Sequence, residues 1–135
     1  MIKNRCDFLE AENQQNLHQR IAEIREKIEI AALKSGRSKD EITLMAVTKT
    51  VPPERVNEAL KAGISLLGEN RVQEFNEKEQ FYQCKREKIH FIGHLQTNKI
   101  RDIIEKVGMI QSVDSIHLAR AISKECEKRQ SEMDI

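Results

Sequence analysis

Lys49, Asn70, His94 and Ser112 each stand at or just past the end of a short apolar run. The lysine closes Ile42-Thr43-Leu44-Met45-Ala46-Val47-Thr48, and three later runs lead into Gly68-Glu69-Asn70, Gly93-His94-Leu95-Gln96 and Ser112-Val113-Asp114. Lysine does carbonyl chemistry only when its amine is neutral, and a free side chain with pKa ~10.4 is mostly protonated at neutral pH. Burial against Ala46 and Val47 is expected to lower that value and supply a nucleophile. The plainer reading is a lysine that snorkels into solvent at a strand end. Asn70 has an amide able to bond a ligand, or equally to cap the helix that follows. His90 and His94 are four apart, but they flank a strand end and no acidic or cysteine partner completes a metal set. Ser112 is expected to reach the same end of the fold, with Asp114 capping the next helix. His117 receives no role.

These positions make sense only if the runs are strands that end on one side of a sheet. The apolar stretches at 42–49, 64–67, 89–92 and 109–113 start 22, 25 and 20 residues apart. Amphipathic segments separate them: Val56, Ala59 and Leu60; then Val72, Phe75 and Tyr82; then Ile100, Ile103, Ile104 and Val107; then Leu118, Ala121, Ile122 and Cys126. Pro52-Pro53 suits a first helical turn, where no amide partner is needed, while Gly63 and Gly108 serve as stops. Short strands alternating with single helices require parallel pairing through right-handed crossovers. Ahead of the repeat, Leu17, Ile21, Ile24, Ile28 and Ala31 predict a leading helix ended by Gly36. Met133-Asp134-Ile135 reads as the start of a fifth strand. No glycine follows the first strand, which argues against a dinucleotide-binding or P-loop domain. A (β/α)8 barrel typically needs ~250 residues, so four units are about half of one.

Bulk composition narrows the partners. The chain has 135 residues with 23 basic and 22 acidic side chains, a net +1, and no basic stripe of the kind that binds nucleic acid. No apolar run approaches the ~18 residues needed to cross a bilayer. The N-terminus lacks the apolar stretch of a signal peptide. Cys6, Cys84 and Cys126 are widely spaced and read as free thiols of a cytoplasmic protein.

Four motifs occur in order: Ala46-Val47-Thr48-Lys49-Thr50, Gly68-Glu69-Asn70-Arg71-Val72-Gln73-Glu74, His90-Phe91-Ile92-Gly93-His94-Leu95-Gln96-Thr97-Asn98-Lys99, and Ser112-Val113-Asp114-Ser115. Together they closely resemble the pyridoxal phosphate homeostasis family, also called the YggS family. The resemblance implies an α/β fold, the (β/α)8 TIM-barrel type of the alanine racemase N-terminal domain. Here that would be about the first half, a leading helix plus four βα units. It implies residues 1–135 as the N-terminal portion of a single cofactor-binding barrel domain, with 1–41 as leading helix and linker and 42–135 as βα repeats. It makes Lys49 the Schiff-base lysine for pyridoxal 5'-phosphate (PLP), with Asn70, His94 and Ser112 as further cofactor-binding residues. Family members continue to Ser-Met-Gly-Met-Ser-like and Arg-Ile-Gly-like segments that supply most of the phosphate grip. By that measure this chain reads as a C-terminally truncated fragment.

The function so implied is intracellular vitamin B6 homeostasis by a PLP carrier or regulator, not an enzyme, with PLP-dependent apoenzymes as partners. The racemase relatives take a second acid/base group from a C-terminal β domain and the opposite subunit, and this chain is expected to lack that domain. Two other readings stand beside it: a racemase-like PLP enzyme, or a cofactor-free α/β interaction domain. In the last, open barrel edges would favour self-association.

Overall fold

The structure is a computed structural model that describes the backbone of residues 5–135 and the side chains of residues 16–135. A leading helix, α1 (Arg5–Lys34), precedes four strand–helix units. These are β1 (Met45–Val47) with α2 (Pro53–Lys61), β2 (Leu66–Glu69) with α3 (Val72–Lys78), β3 (Ile89–Phe91) with α4 (Ile100–Ile103), and β4 (Met109–Ile110) with α5 (Ile116–Arg129). The strands are parallel and lie in chain order, with Ala46 opposite Leu67, Gly68 opposite His90 and Phe91 opposite Ile110. A doubly wound sheet reverses direction at a switch point. This one does not, and singly wound parallel order is the barrel pattern expected from the sequence. Asp134 makes an isolated parallel bridge to Met109, and Ile110 N–H donates to Asp134 O at 2.9 Å, which is as much of the expected fifth strand as the last residues form.

The two faces of the sheet differ. On the helix side Leu67, Phe91 and Ile110 are completely buried against Val56, Phe75, Ile103, Ile104, Val107, Leu118 and Ile122. On the other face lie Met45, Gly68 and Ile92: a Cβ added to Gly68 would meet Met45 Sδ at 2.7 Å and Ile92 Cδ1 at 2.9 Å. This inner face is concave in a closed barrel; here it is open, and Val47 is 49 % exposed.

Local chemistry explains the element ends. Pro52 is the N-cap of α2 and Pro53 its first residue. Gly63, at φ +91°, closes that helix: Ile64 N–H reaches Ala59 O at 3.0 Å and Gly63 N–H reaches Leu60 O at 3.0 Å. That pair of bonds satisfies carbonyls the helix would otherwise leave open. The Arg25 guanidinium from α1 donates to Gly63 O, adding a cation at the negative end of α2.

Several expected elements are shorter than their apolar patterns. The run 42–49 yields only Met45–Val47 as strand, because Ile42 closes a 3-10 turn, Lys39–Glu41, fixed by a Ser38/Glu41 capping box. In α1 the contact stripe is Leu17, Ile21, Arg25, Ile28 and Ala32; Ile24 is exposed and Ala31 faces solvent, because Arg25 takes the central position against Gly63. The pattern Val72, Phe75, Tyr82 does not make one helix. α3 stops at Lys78, a 3-10 turn covers Glu79–Phe81, and Tyr82 is extended. The Asn57 side chain of α2 holds that exit, donating to Phe81 O and accepting from Gln83 N–H, both at 2.9 Å. Likewise Ile100, Ile103, Ile104 and Val107 are all buried, but regular helix spans only α4, entered through a 3-10 turn at Thr97–Lys99.

Candidate functional site

At the carboxyl end of the sheet each strand delivers its polar residue one or two positions past the last pairing. Thr48 N–H still donates to Gly68 O (3.1 Å), Ile92 N–H to Glu69 O (2.8 Å) and Gln111 N–H to Phe91 O (2.9 Å). Past β1 the chain leaves the sheet in a turn at Lys49, whereas Ser112 stays beside Gly93, bonded to its carbonyl. All four predicted residues follow a strand at the carboxyl end of the sheet; Asn70 and Ser112 both meet Gly93, and their environments otherwise differ.

Lys49 sits at the corner of a turn closed by Val51 N–H donating to Thr48 O at 3.1 Å. The side chain is exposed rather than buried against Ala46 and Val47 as the sequence led us to expect. The physical reason is local: β1 ends at Val47, and the turn at Lys49 carries the side chain away from the sheet, with no described element packed over it. Asn70 is half-buried. It is not the N-cap of α3, a position held by Arg71 without a side-chain bond. Asn70 packs instead on β3, where a Cβ at Gly93 would come within 1.9 Å of Asn70 O and 2.7 Å of its Oδ1. Only glycine permits that approach.

Ser112 Oγ donates to Gly93 O at 2.5 Å, tying β4 to β3. His94 is largely exposed, with Nδ1 3.8 Å from Asp114. Asp114 does not cap α5; Ser115 does, its Oγ accepting from Leu118 N–H at 3.2 Å. His90 faces Gln111, whose amide lies 2.9 Å from Nδ1. Burial lowers the His90 pKa below its ordinary value, with Asp134 pulling the other way. His90 and His94 thus have separate partners, and among the described residues no three His, Cys, Asp or Glu side chains gather to hold a metal.

Behind the Lys49 strand end lies a buried polar cluster that sequence reasoning missed. Glu69 is completely buried between sheet and helices, and Thr48 is 3 % exposed. Glu69 Oε1 accepts from Thr48 Oγ1 and from Tyr82 OH, each at 2.6 Å, while Oε2 has no partner. Desolvation, then the bond to Glu69, pushes the Tyr82 phenol well above its usual range. The sequence explained Tyr82 by packing on a helix; it is buried, but as a hydrogen-bond donor. The available signal was an acid ending an apolar strand. In front of this cluster, Glu74 and Lys78 of α3 reach the backbone of the Lys49 turn.

A concavity of about 410 Å³ bordered by Arg25, Glu29, Lys39 and Leu44 lies at the opposite, amino-terminal end of β1, away from these groups. Cys84 and Cys126 are unpaired, and burial raises the Cys84 thiol. The Cys6 side chain lies outside the described residues. Among those described, no helix is long and apolar enough to cross a membrane.

Fold and site together define a βα protein of the TIM-barrel type, with its polar groups at the carboxyl ends of parallel strands. Comparison with known proteins makes the relationship specific. The chain is 38 % identical over 120 residues to a pyridoxal phosphate homeostasis protein of Aquifex aeolicus, covering 89 % of this chain and 53 % of that protein. It is 40 % identical over 106 residues to one from Escherichia coli K12, covering 76 % and 45 %. The chain is a homologue of the pyridoxal phosphate homeostasis proteins, and it spans about half the length of these curated relatives. Among solved structures, an unknown protein from Bifidobacterium adolescentis superposes with TM-score 0.84 at 27 % identity, over 98 % of this chain and 55 % of that one. PipY of Synechococcus elongatus PCC7942, solved with PLP bound, gives 0.57 at 32 % identity, over 76 % and 48 %. No family model matches the chain.

Proposed function

We propose that this chain forms the N-terminal portion of a PLP-binding barrel domain, with residues 1–41 as leading helix and linker and 42–135 as βα repeats. In this reading it holds PLP as a Schiff base on Lys49, and serves vitamin B6 homeostasis in the cytoplasm as a carrier or regulator that supplies apoenzymes. The observation that carries the reading is the place of Lys49: an exposed amine at a turn corner, at the carboxyl end of β1. The names of its relatives, and the PLP bound to PipY, favour that cofactor.

The residues fit the group in donor chemistry. When bound, PLP supplies an aldehyde that condenses with a primary amine. Lys49 provides the amine, and once neutral its nitrogen forms the new C=N bond with loss of water. The Asn70 amide is placed to orient a ring substituent. His94 and Ser112 line the same edge, with Ser112 Oγ already committed as a donor to Gly93 O. Tyr82, the chain's one tyrosine, donates to Glu69 behind the sheet rather than standing near Lys49 as an acid/base partner.

The test is an absorption spectrum of the protein with PLP beside Lys49→Ala, followed by borohydride reduction and mass mapping. A visible band and a reduced adduct confined to Lys49 support the reading; labelling spread over surface lysines removes it. Turnover of an amino acid that Lys49→Ala abolishes would favour the racemase instead.

The open inner face supports a second reading, association between chains through the sheet. Val47 is half exposed there, and among the described residues β1 pairs on one side only, with β2. Sedimentation should show mass rising with concentration. A sharp melt of a monomer, independent of concentration, would rule this out.

A further inference from the structure

The turn that carries Lys49 has a backbone conformation its own sequence disfavours. Thr50 sits at φ +61°. Only one other non-glycine among the described residues, Gln130, has a positive φ, and it occupies a helix C-cap where left-handed residues are common. Thr50 is β-branched, a type for which positive φ is a genuine outlier. It is the third residue of the Thr48–Val51 turn, where a positive φ calls for glycine or asparagine. Such a conformation persists only where its surroundings over-determine it.

The surroundings here are one ion pair from α3. Glu74 Oε1 accepts the Thr50 N–H at 2.5 Å. Lys78 Nζ donates to Thr48 O at 3.0 Å, to Val51 O at 3.1 Å and to Glu74 Oε1 at 2.7 Å. An ammonium has three hydrogens, so all of them are used. Three peptide groups of a four-residue turn are thereby bound to two side chains. Thr50 Oγ1 adds a local bond to Lys49 O at 2.6 Å. The Lys78 side chain is only 13 % exposed and Glu74 22 %, unlike an ordinary solvated pair one helical turn apart. Bonding to Lys78, opposed by desolvation and helped by the Thr50 amide, lowers the Glu74 pKa, so the acceptor stays ionised at neutral pH.

We propose that Glu74 and Lys78 are positioning residues for Lys49: they hold the Thr48–Val51 turn in the conformation that presents the lysine at the strand end, without touching a ligand themselves. This rests on the reading of Lys49 as the PLP amine, and its physical core, the restrained turn, is testable apart from it. A pair that served folding alone would change stability and leave Lys49 reactivity where it was.

The experiment compares wild type, Glu74→Gln, Lys78→Met and Lys78→Met/Thr50→Gly. Two readouts are taken on the folded proteins: borohydride trapping of PLP at Lys49, and hydrogen exchange with three-bond coupling of the Thr50 amide by NMR. Lys78→Met should slow trapping by on the order of tenfold to a hundredfold, as small misplacements of a reacting group do. It should also release the Thr50 amide to exchange. Thr50→Gly in the same background should recover most of the trapping, because glycine takes the positive φ unaided. Glu74→Gln keeps an acceptor, so it should show a milder loss of the same kind; it serves as the test variant if Lys78→Met does not fold. Unchanged trapping and an unchanged Thr50 amide in the folded single variants overturn the proposal, as does failure of Thr50→Gly to restore trapping. If wild type traps nothing at Lys49 but the Thr50 amide is freed in Lys78→Met, the turn restraint stands and the PLP reading of Lys49 fails.

Discussion

The two faces of the four-stranded sheet are built from the same strands and do opposite work. Toward the helices, Leu67, Phe91 and Ile110 are fully buried, and even the polar residues Thr48 and Glu69 are closed in by Tyr82. Toward the inner face, Val47 is half exposed, Met45 and Ile92 are partly covered, and Lys49 stands in solvent. Thr48 and Lys49 are adjacent in sequence, yet Thr48 belongs to the packing and Lys49, at the turn, to the solvent, where the proposed chemistry would lie. Stability should therefore be concentrated on one face and reactivity on the other.

The largest test of that division is Phe91→Ala against Val47→Ala. Deleting a fully buried phenylalanine should cost about 3–5 kcal/mol, whereas a half-exposed valine should cost under about 1 kcal/mol. Urea unfolding of both variants measures the difference, and comparable losses would mean the inner face is covered in solution. The surprise lies in which residues serve the helix face. Leu67, Phe91, Ile103, Ile104 and Val107 were legible as core because apolar periodicity reports burial directly. Glu69 and Tyr82 were not, because nothing along the chain announces that two polar side chains thirteen positions apart share one hydrogen bond.

That bond gives the next prediction. Tyr82→Phe removes a donor from a buried carboxylate and should destabilise by about 1–3 kcal/mol. Tyr82 is the only tyrosine, so absorbance near 295 nm reports it alone. Its folded pKa is raised above the ordinary 10.0. The neutral phenol therefore contributes stability that is complete below pH 10 and is lost as pH rises toward the folded value. No phenolate signal should develop before alkaline unfolding. Ordinary titration near 10 in the native protein would show the helix face to be wetter than it looks.

Acid probes the sheet and its helix α3 in the other direction. His90, facing Gln111, has a pKa lowered from 6.5, chiefly by burial. The fold favours its neutral form, so its contribution is complete above pH 6.5 and is lost as pH falls through the depressed value. Glu74, lowered from 4.5 chiefly by its bond to Lys78, adds a second loss at more acid pH. Stability measured against pH should begin to decline below about 6.5, and His90→Gln should remove that first decline. A His90→Gln profile superposable on wild type would show that His90 is solvated in both states.

The smallest effect is expected at the residue proposed to bind the cofactor. Lys49→Ala should change stability by no more than about 0.5 kcal/mol, since an exposed side chain without packing contributes little. A larger loss by denaturant unfolding would put Lys49 in the packing and weaken the separation of faces.

From the sequence alone came the βα repeat, its parallel pairing, most of the buried apolar residues of the helices that follow the strands, and the residues at the strand ends, whereas the stripe of α1 was read only in part. These depend on periodicity, on Pro52-Pro53 and on Gly63, all of which act within a few positions of themselves. The resemblance of four motifs to a known family also needed only the chain. What tertiary structure decided were relations between segments far apart: Arg25 on Gly63, Asn57 around Phe81 and Gln83, Tyr82 on Glu69, and the Glu74–Lys78 pair under the Lys49 turn. Each joins a side chain to a partner whose position is set by the packing of another element. Hydrogen-bond geometry is decided to tenths of an ångström, and hydrophobic pattern along a chain carries no information at that scale.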